Sequence, residues 1–190
     1  MITWVPSVID TCDLQTIDFD YLAQAISGST YKKKCEKIRA ITDRTQRNIL
    51  KADTLPAFSM CTFDGLGRDE DHVLTVNGLT LDYDECNGNA DQIWKAMQAA
   101  GARLIFNSPS GNGVKASFEY SRSISKQEHD RIKYDITHGM KLKAGHKLCN
   151  CSSSAVQLCF LSNDPDIILQ AGKPIDVDAL LTHAKKDPYA

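Results

Sequence analysis

The chain has 190 residues, 42% of them hydrophobic and 24% charged, with a formal net charge of −2. This is the composition of a globule long enough to hold its own core, and a slightly acidic chain is no general coat for nucleic acid, so any nucleic-acid contact must come from a local basic patch. Seven scattered cysteines, an odd number, exclude a disulfide scaffold and point to reduced thiols in the cytoplasm; the N-terminus lacks the basic start and apolar run of a signal peptide, and no stretch of about 18 apolar residues predicts a membrane span.

In chain order, residues 18–27 read as a short helix stopped by Gly28, and residues 31–51 as one or two helices, with Asp43 as N-cap of the second. Pro56 ends this region, and 57–63 reads as a strand. A polar loop at 64–71 leads into 73–84, a strand or a hairpin in which Asn77-Gly78 is the turn signal. Residues 90–100 form a helix with Ile93, Trp94 and Met97 on its core face and Gly101 just past its end. A strand at 103–107, a tight loop at 108–113 and a strand at 114–120 follow. The capping box Ser125-Lys126-Gln127-Glu128 then opens a helix to about His138. Residues 156–162 read as a strand closed by the turn Asp164-Pro165-Asp166, 167–169 as another short strand, and 178–186 as a terminal helix. Helices mixed with hairpins, without strict alternation, predict an α+β fold, and the absence of a linker predicts a single domain over 1–190.

Two segments carry chemistry. The first is Leu79-Thr80-Leu81-Asp82-Tyr83-Asp84. Side chains alternate along a strand, so Asp82 and Asp84 share one face while Leu81 and Tyr83 enter the core. Adjacent carboxylates repel unless a cation lies between them, and Mg²⁺ takes one or two carboxylates plus phosphate oxygens. Glu85 points away from the pair if the strand continues. Asp-x-Asp alone is also a common solvated turn. The second segment is Asn107-Ser108-Pro109-Ser110-Gly111-Asn112-Gly113-Val114-Lys115. Ser108 and Ser110 offer hydroxyls, Gly111 and Gly113 allow backbone N–H groups to approach an anion, and Lys115 supplies a cation, a set that suits a triphosphate but equally describes an ordinary Ser/Gly hairpin loop.

Two further features are weaker. Lys32-Lys33-Lys34, Lys37, Arg39, Arg44, Arg47 and Lys51 form a basic segment; on a helix Arg44, Arg47 and Lys51 share a face that could follow a nucleic-acid backbone or simply be solvated. His146, Cys149 and Cys151, near His138 and Cys159, invite a zinc reading, but Cys-x-Cys lacks the usual knuckle spacing, and buried thiols are the expectation. Cys12, Cys35, Cys61 and Cys86 show no paired spacing. Tyr83 and Tyr120 could stack on a base if exposed.

In order and spacing, LTLDYDE and SPSGNGVK together resemble the acidic strand end and Ser-x-His hairpin of the archaeo-eukaryotic primase (prim-pol) superfamily. Within it, the basic stretch Lys37–Asp43, the segment Lys51-Ala52-Asp53-Thr54-Leu55-Pro56-Ala57-Phe58 and the late segment Leu158-Cys159-Phe160-Leu161-Ser162-Asn163-Asp164-Pro165-Asp166 resemble the VirE amino-terminal-like domain subgroup and phage primase-polymerases. The resemblance covers residues 37–166. It implies an RRM-like mixed or antiparallel sheet flanked by helices and a DNA-templated nucleotidyltransferase of a phage, plasmid or other mobile element. It also implies two divalent ions, Mg²⁺ or Mn²⁺, held by Asp82 and Asp84. By resemblance the loop residues Ser108, Ser110, Gly111, Asn112 and Gly113, with Lys115, contact nucleotide phosphates. Of the basic residues Arg39, Arg44, Arg47 and Lys51 that could face nucleic acid, the resemblance favours Arg39 and Lys51, and Asp164 is the candidate third carboxylate. The implied partners are an NTP or dNTP, a single-stranded template or primer–template, and a helicase domain or subunit, which would make the chain the N-terminal part of a larger replication protein. Two positions depart from the pattern: Lys115 stands for the histidine, and Gln157 for an arginine. These departures leave a non-catalytic binding module of the same fold as the alternative. A metal-dependent nuclease is disfavoured, because the residue two before Lys115 is Gly113 rather than an acid.

Overall fold

The computed structural model describes residues 1–9, 13–86, 88–146 and 148–184. Two antiparallel sheets are flanked by helices. The first has the order β2-β1-β3-β8, from β1 (Ile2–Val5), β2 (Gln15–Ile17), β3 (Ala57–Ser59) and β8 (Cys159–Phe160). The second has the order β4-β5-β7-β6-β9, from β4 (Cys61–Phe63), β5 (Val73–Tyr83), β6 (Leu104–Asn107), β7 (Val114–Ile124) and β9 (Ile168–Leu169). The helices are α1 (Phe19–Ser27), α2 (Lys32–Ala40), α3 (Arg44–Thr54), α4 (Ala90–Ala99), α5 (Lys126–Ala144) and α6 (Val177–Ala184). None of them is long and apolar enough to cross a membrane.

Several expectations change. The strand expected at 57–63 bends at Met60 and divides between the sheets, with Ser59 opposite Thr3 and Cys61 opposite Val76. Residues 73–83 form one strand, not a hairpin. Asn77-Gly78 marks an irregularity in its pairing with β7, because a side chain at Gly78 would collide with the Phe118 carbonyl and the Met60 methyl. β1 and β2 were not foreseen; they are short, and β1 is buried throughout, so neither displays an alternating pattern. The late strand shrinks from 156–162 to two residues. The long helix begins at its capping box as expected but runs on to Ala144, where Gly145 (φ 62°) ends it in the left-handed region.

Period-2 alternation in the second sheet separates two environments. Leu79, Leu81 and Tyr83 of β5, with Val114, Ala116 and Phe118 of β7, enter a core shared with Ile93 and Met97 of α4 and Ile132 and Ile136 of α5. Each fully buried large aliphatic or Phe side chain among them contributes about 1.5–3 kcal/mol. Leu104 and Phe106 of β6 face the other way, into a second core with Ile2, Trp4, Leu22 and Phe58. The same face carries two polar cross-strand pairs: Thr80 with Ser117, whose hydroxyls are 2.9 Å apart, and Asp82 with Lys115. The candidate site grows from the end of this polar row.

Candidate active site

Antiparallel register places Asp82 of β5 directly opposite Lys115 of β7, and the Lys115 ammonium donates to Asp82 Oδ2. Lys115 is buried, at 5% exposure. Burial alone pulls it toward neutrality; the Cys159 sulfur and the Asp82 carboxylate pull the other way, and its pKa is raised. Because burial pushes the Cys159 thiol up to about 12, the charge that keeps Lys115 protonated is that of Asp82. The other carboxylate oxygen of Asp82, Oδ1, is buried and has no hydrogen-bond partner among the described residues. The strand edge at Asp82 is covered not by another strand but by the segment after α5: Asp82 N donates to Ser152 Oγ (2.9 Å), and Cys149 N to Asp82 O (2.8 Å). Sequence reasoning missed Ser152, since a serine in a short 3-10 turn (Asn150–Ser153) carries no local signal of a long-range contact.

Asp84 lies one residue beyond β5, and its side chain is half exposed. Glu85 has φ 52°, in the left-handed region, so the strand does not continue. The expectation that Glu85 faces away therefore fails: it lines the same cleft as Asp82 and Asp84. Arg44 reaches both exposed acids, at 4.0 Å from Asp84 and 3.7 Å from Glu85.

The loop between β6 and β7 is closed by its own bonds. Ser108 N donates to Gly113 O (2.8 Å), Gly111 N to Ser108 O (2.9 Å) and Gly113 N to Ser108 Oγ (3.2 Å). Gly111 and Gly113 thus do not offer their N–H groups to an anion, contrary to expectation. Gly111 supplies a positive φ (82°) where the Arg39 side chain packs, and Gly113 permits close approach to the Tyr83 carbonyl. What the loop presents to the cleft is Ser108, Pro109, Ser110 and Asn112. Its hydroxyls form a chain, Ser108 Oγ with Ser110 Oγ (3.1 Å) and Ser110 Oγ to Asn112 Oδ1 (3.2 Å), that can be redirected to an incoming acceptor.

α3 forms the facing wall. Its N-cap, Asp43, accepts from Gln46 N, and the helix buries no residue of its own. Its inner face, Arg44, Arg47, Asn48 and Lys51, instead lines a cleft of about 350 Å³ together with the acids and the loop. Burial, then Lys115 and Arg47, depress the Lys51 pKa. Arg47 Nε is buried without a partner among the described residues. Leu158 and Phe160, read from the sequence as part of the late strand that carries the family resemblance but not as lining a site, complete the lining. Four basic and three acidic side chains therefore share the cleft.

Other expected site residues lie elsewhere. Arg39 is committed to carbonyls, donating to Pro109 O (3.3 Å) and Asn163 O (2.8 Å), and braces the loop from outside. Asp164 does not line the cleft; its carboxylate accepts from Asn107 N (2.6 Å), Asn107 Nδ2 (3.0 Å) and Asp166 N (3.1 Å). Tyr83 and Tyr120 are buried and stack on nothing external. Among the described residues no three or more His, Cys, Asp or Glu side chains are arranged to hold a metal ion. His146 Nε2 instead lies 3.1 Å from Asp84 O, and Cys12 and the Cys151 side chain fall outside the described residues. For a divalent ion the cleft offers Asp82, with one oxygen buried and without a partner among the described residues, Asp84, open to solvent, and at its rim Glu85, which Arg44 holds. This donor set fits a hard cation that completes its shell with phosphate or water oxygens.

Comparison with known proteins follows the same lines. The fold is similar to that of the AEP domain of the cyanophage S-2L primase-polymerase, with a TM-score of 0.52 over 95% of this chain and 87% of that one, at 10% sequence identity. At that identity the likeness establishes the prim-pol fold, two antiparallel sheets flanked by helices. No curated protein sequence matches the chain. Residues 50–168, which span the acidic strand end, the Ser/Gly loop and the late strand, match the family described as BT4734-like, N-terminal domain, and the chain belongs to that family.

Proposed function

We propose that the chain is a DNA-templated nucleotidyltransferase of the primase-polymerase type, acting on an NTP or dNTP at a primer–template or single-stranded template, in the replication of a phage, plasmid or other mobile element. The observation that carries this reading is the cleft itself: the Asp82/Asp84 pair, the Ser108–Ser110 hydroxyls and the cationic inner face of α3 line one concave site on a prim-pol fold. The likeness of 51–58 and 158–166 to the VirE amino-terminal-like subgroup supports it at a finer level.

Phosphoryl and nucleotidyl transfer need positioning and charge more than covalent chemistry from the protein. Lys51, Arg47 and Lys115 would hold the triphosphate by charge-assisted hydrogen bonds, with Ser108 Oγ and Ser110 Oγ donating to its oxygens. Arg44, now on Asp84 and Glu85, would turn to the phosphates or the template backbone. Leu158 and Phe160 give the sugar or base an apolar surface that excludes water. Asp82 and Asp84 would hold Mg²⁺ or Mn²⁺, and the chemistry such an ion supplies when bound is a more acidic primer 3′-hydroxyl and charge neutralisation on the pyrophosphate. A second reading, a nucleotide-binding module without turnover, is favoured by one observation: Lys115 already neutralises Asp82.

The test is nucleotide incorporation on a primed DNA template with Mg²⁺ or Mn²⁺, for the native chain and for Asp82→Ala and Asp84→Ala. Incorporation by the native chain that both variants lose is the expected result. A folded native chain that binds nucleotide but incorporates neither sugar with either metal supports the binding module instead.

A further inference from the structure

The pairing of Asp82 bears on how many cations the cleft takes, a question that rests on the nucleotidyltransferase reading above. A carboxylate that bridges two metal ions commonly gives one oxygen to each. In Asp82 they are not equivalent: Oδ2 accepts from the Lys115 ammonium, whereas Oδ1 is buried without a partner among the described residues. Lys115 has little freedom to leave. It is 5% exposed, it stands near the end of a strand paired on both sides, opposite Asp82 of β5 and Phe106 of β6, and Cys159 is buried as well. Departure of its ammonium would leave the Asp82 carboxylate, only 14% exposed, without its countercharge.

We infer that Lys115 Nζ takes the place of one of two catalytic cations, so that the site binds a single divalent ion, through Asp82 Oδ1 and Asp84, with the Lys115 ammonium as the second positive charge. A lysine is a compact point charge with three donors, so it can neutralise a carboxylate and reach a phosphate oxygen at once, although unlike a metal it cannot acidify a hydroxyl bound to it.

The test counts ions rather than turnover. Mn²⁺ is titrated into the full chain saturated with a non-hydrolysable nucleoside triphosphate and followed by electron paramagnetic resonance. Two ions about 3.5–4 Å apart are magnetically coupled, whereas a single ion gives an isolated spectrum. The expected result is one Mn²⁺ per chain with an uncoupled spectrum, lost in Asp84→Asn. Lys115→Met, which frees Asp82 Oδ2, is expected to take up a second ion and show coupling. Two coupled ions in the native chain overturn the inference while leaving the nucleotidyltransferase reading intact. No Mn²⁺ beyond that bound by nucleotide alone overturns both. The native-chain measurement decides the matter even if Lys115→Met does not fold.

Discussion

Asp82-Tyr83-Asp84 and Asp164-Pro165-Asp166 carry the same carboxylates at the same spacing, yet the fold treats them in opposite ways. Asp164 is buried, and both of its oxygens are taken by donors on Asn107 and Asp166, so it works as a clasp that pins the end of β6 to the late segment. Asp82 keeps one buried oxygen without a partner among the described residues, and Asp84 stands half exposed at the mouth of a cleft. A carboxylate can act on a ligand only with acceptor capacity that the protein has left unused, because a satisfied one must first break charge-assisted hydrogen bonds. The number of donors nearby, not the Asp-x-Asp pattern, separates site from scaffold.

This contrast can be broken by substitution. The largest effect is expected from Asp84→Ala, which removes a carboxylate from the reaction and nothing from the core. Incorporation on a primed template should fall by about 10³-fold or more, on the scale of losing a transition-state contact, while urea unfolding shifts by no more than about 0.5 kcal/mol, as for an exposed position. Asp164→Ala should do the reverse. It leaves the Asn107 N–H without its acceptor and should cost about 3 kcal/mol of stability by urea titration, with incorporation per folded molecule largely kept. If Asp164→Ala abolished incorporation at full stability, the division between clasp and site would be wrong.

The smallest effect expected concerns Lys51. Its side chain is depressed in pKa by burial and by Lys115 and Arg47, so it loses its proton at a lower pH than an ordinary lysine. Nucleotide affinity should therefore weaken as pH rises through that depressed value, since the phosphates lose a cation. Lys51→Arg should flatten the profile, because arginine stays charged, and Lys51→Ala should raise KM about tenfold at neutral pH with little change in stability. A steep alkaline decline that persists in Lys51→Arg would assign it to another group.

Legibility followed the range of the interactions. Asp43 and Ser125 were readable as caps because a helix N-terminus is closed by residues three apart in sequence. The orientation of Asp82 and Asp84 was readable because a strand's side chains alternate. Gly78 was misread: Asn-Gly is a local turn signal, but here glycine answers the approach of β7, 40 residues later, a contact that no local pattern announces. Glu85 was misplaced because strand termination depends on one backbone angle. Arg39 and Arg44 sit on successive helices with the same charge, yet one braces a loop from outside and the other crosses the cleft.

By itself the sequence determined the α+β element mix, the face shared by the two aspartates and the basic character of α3, because each follows from a local period or from composition. Only the tertiary structure decided that Lys115 pairs with Asp82, that Ser152 covers the strand edge behind it and that α3 turns its charges inward over the cleft. Each of these joins residues more than 30 positions apart, and strand register and layer packing, which bring them within reach, are set by the burial of the whole core rather than by any one segment.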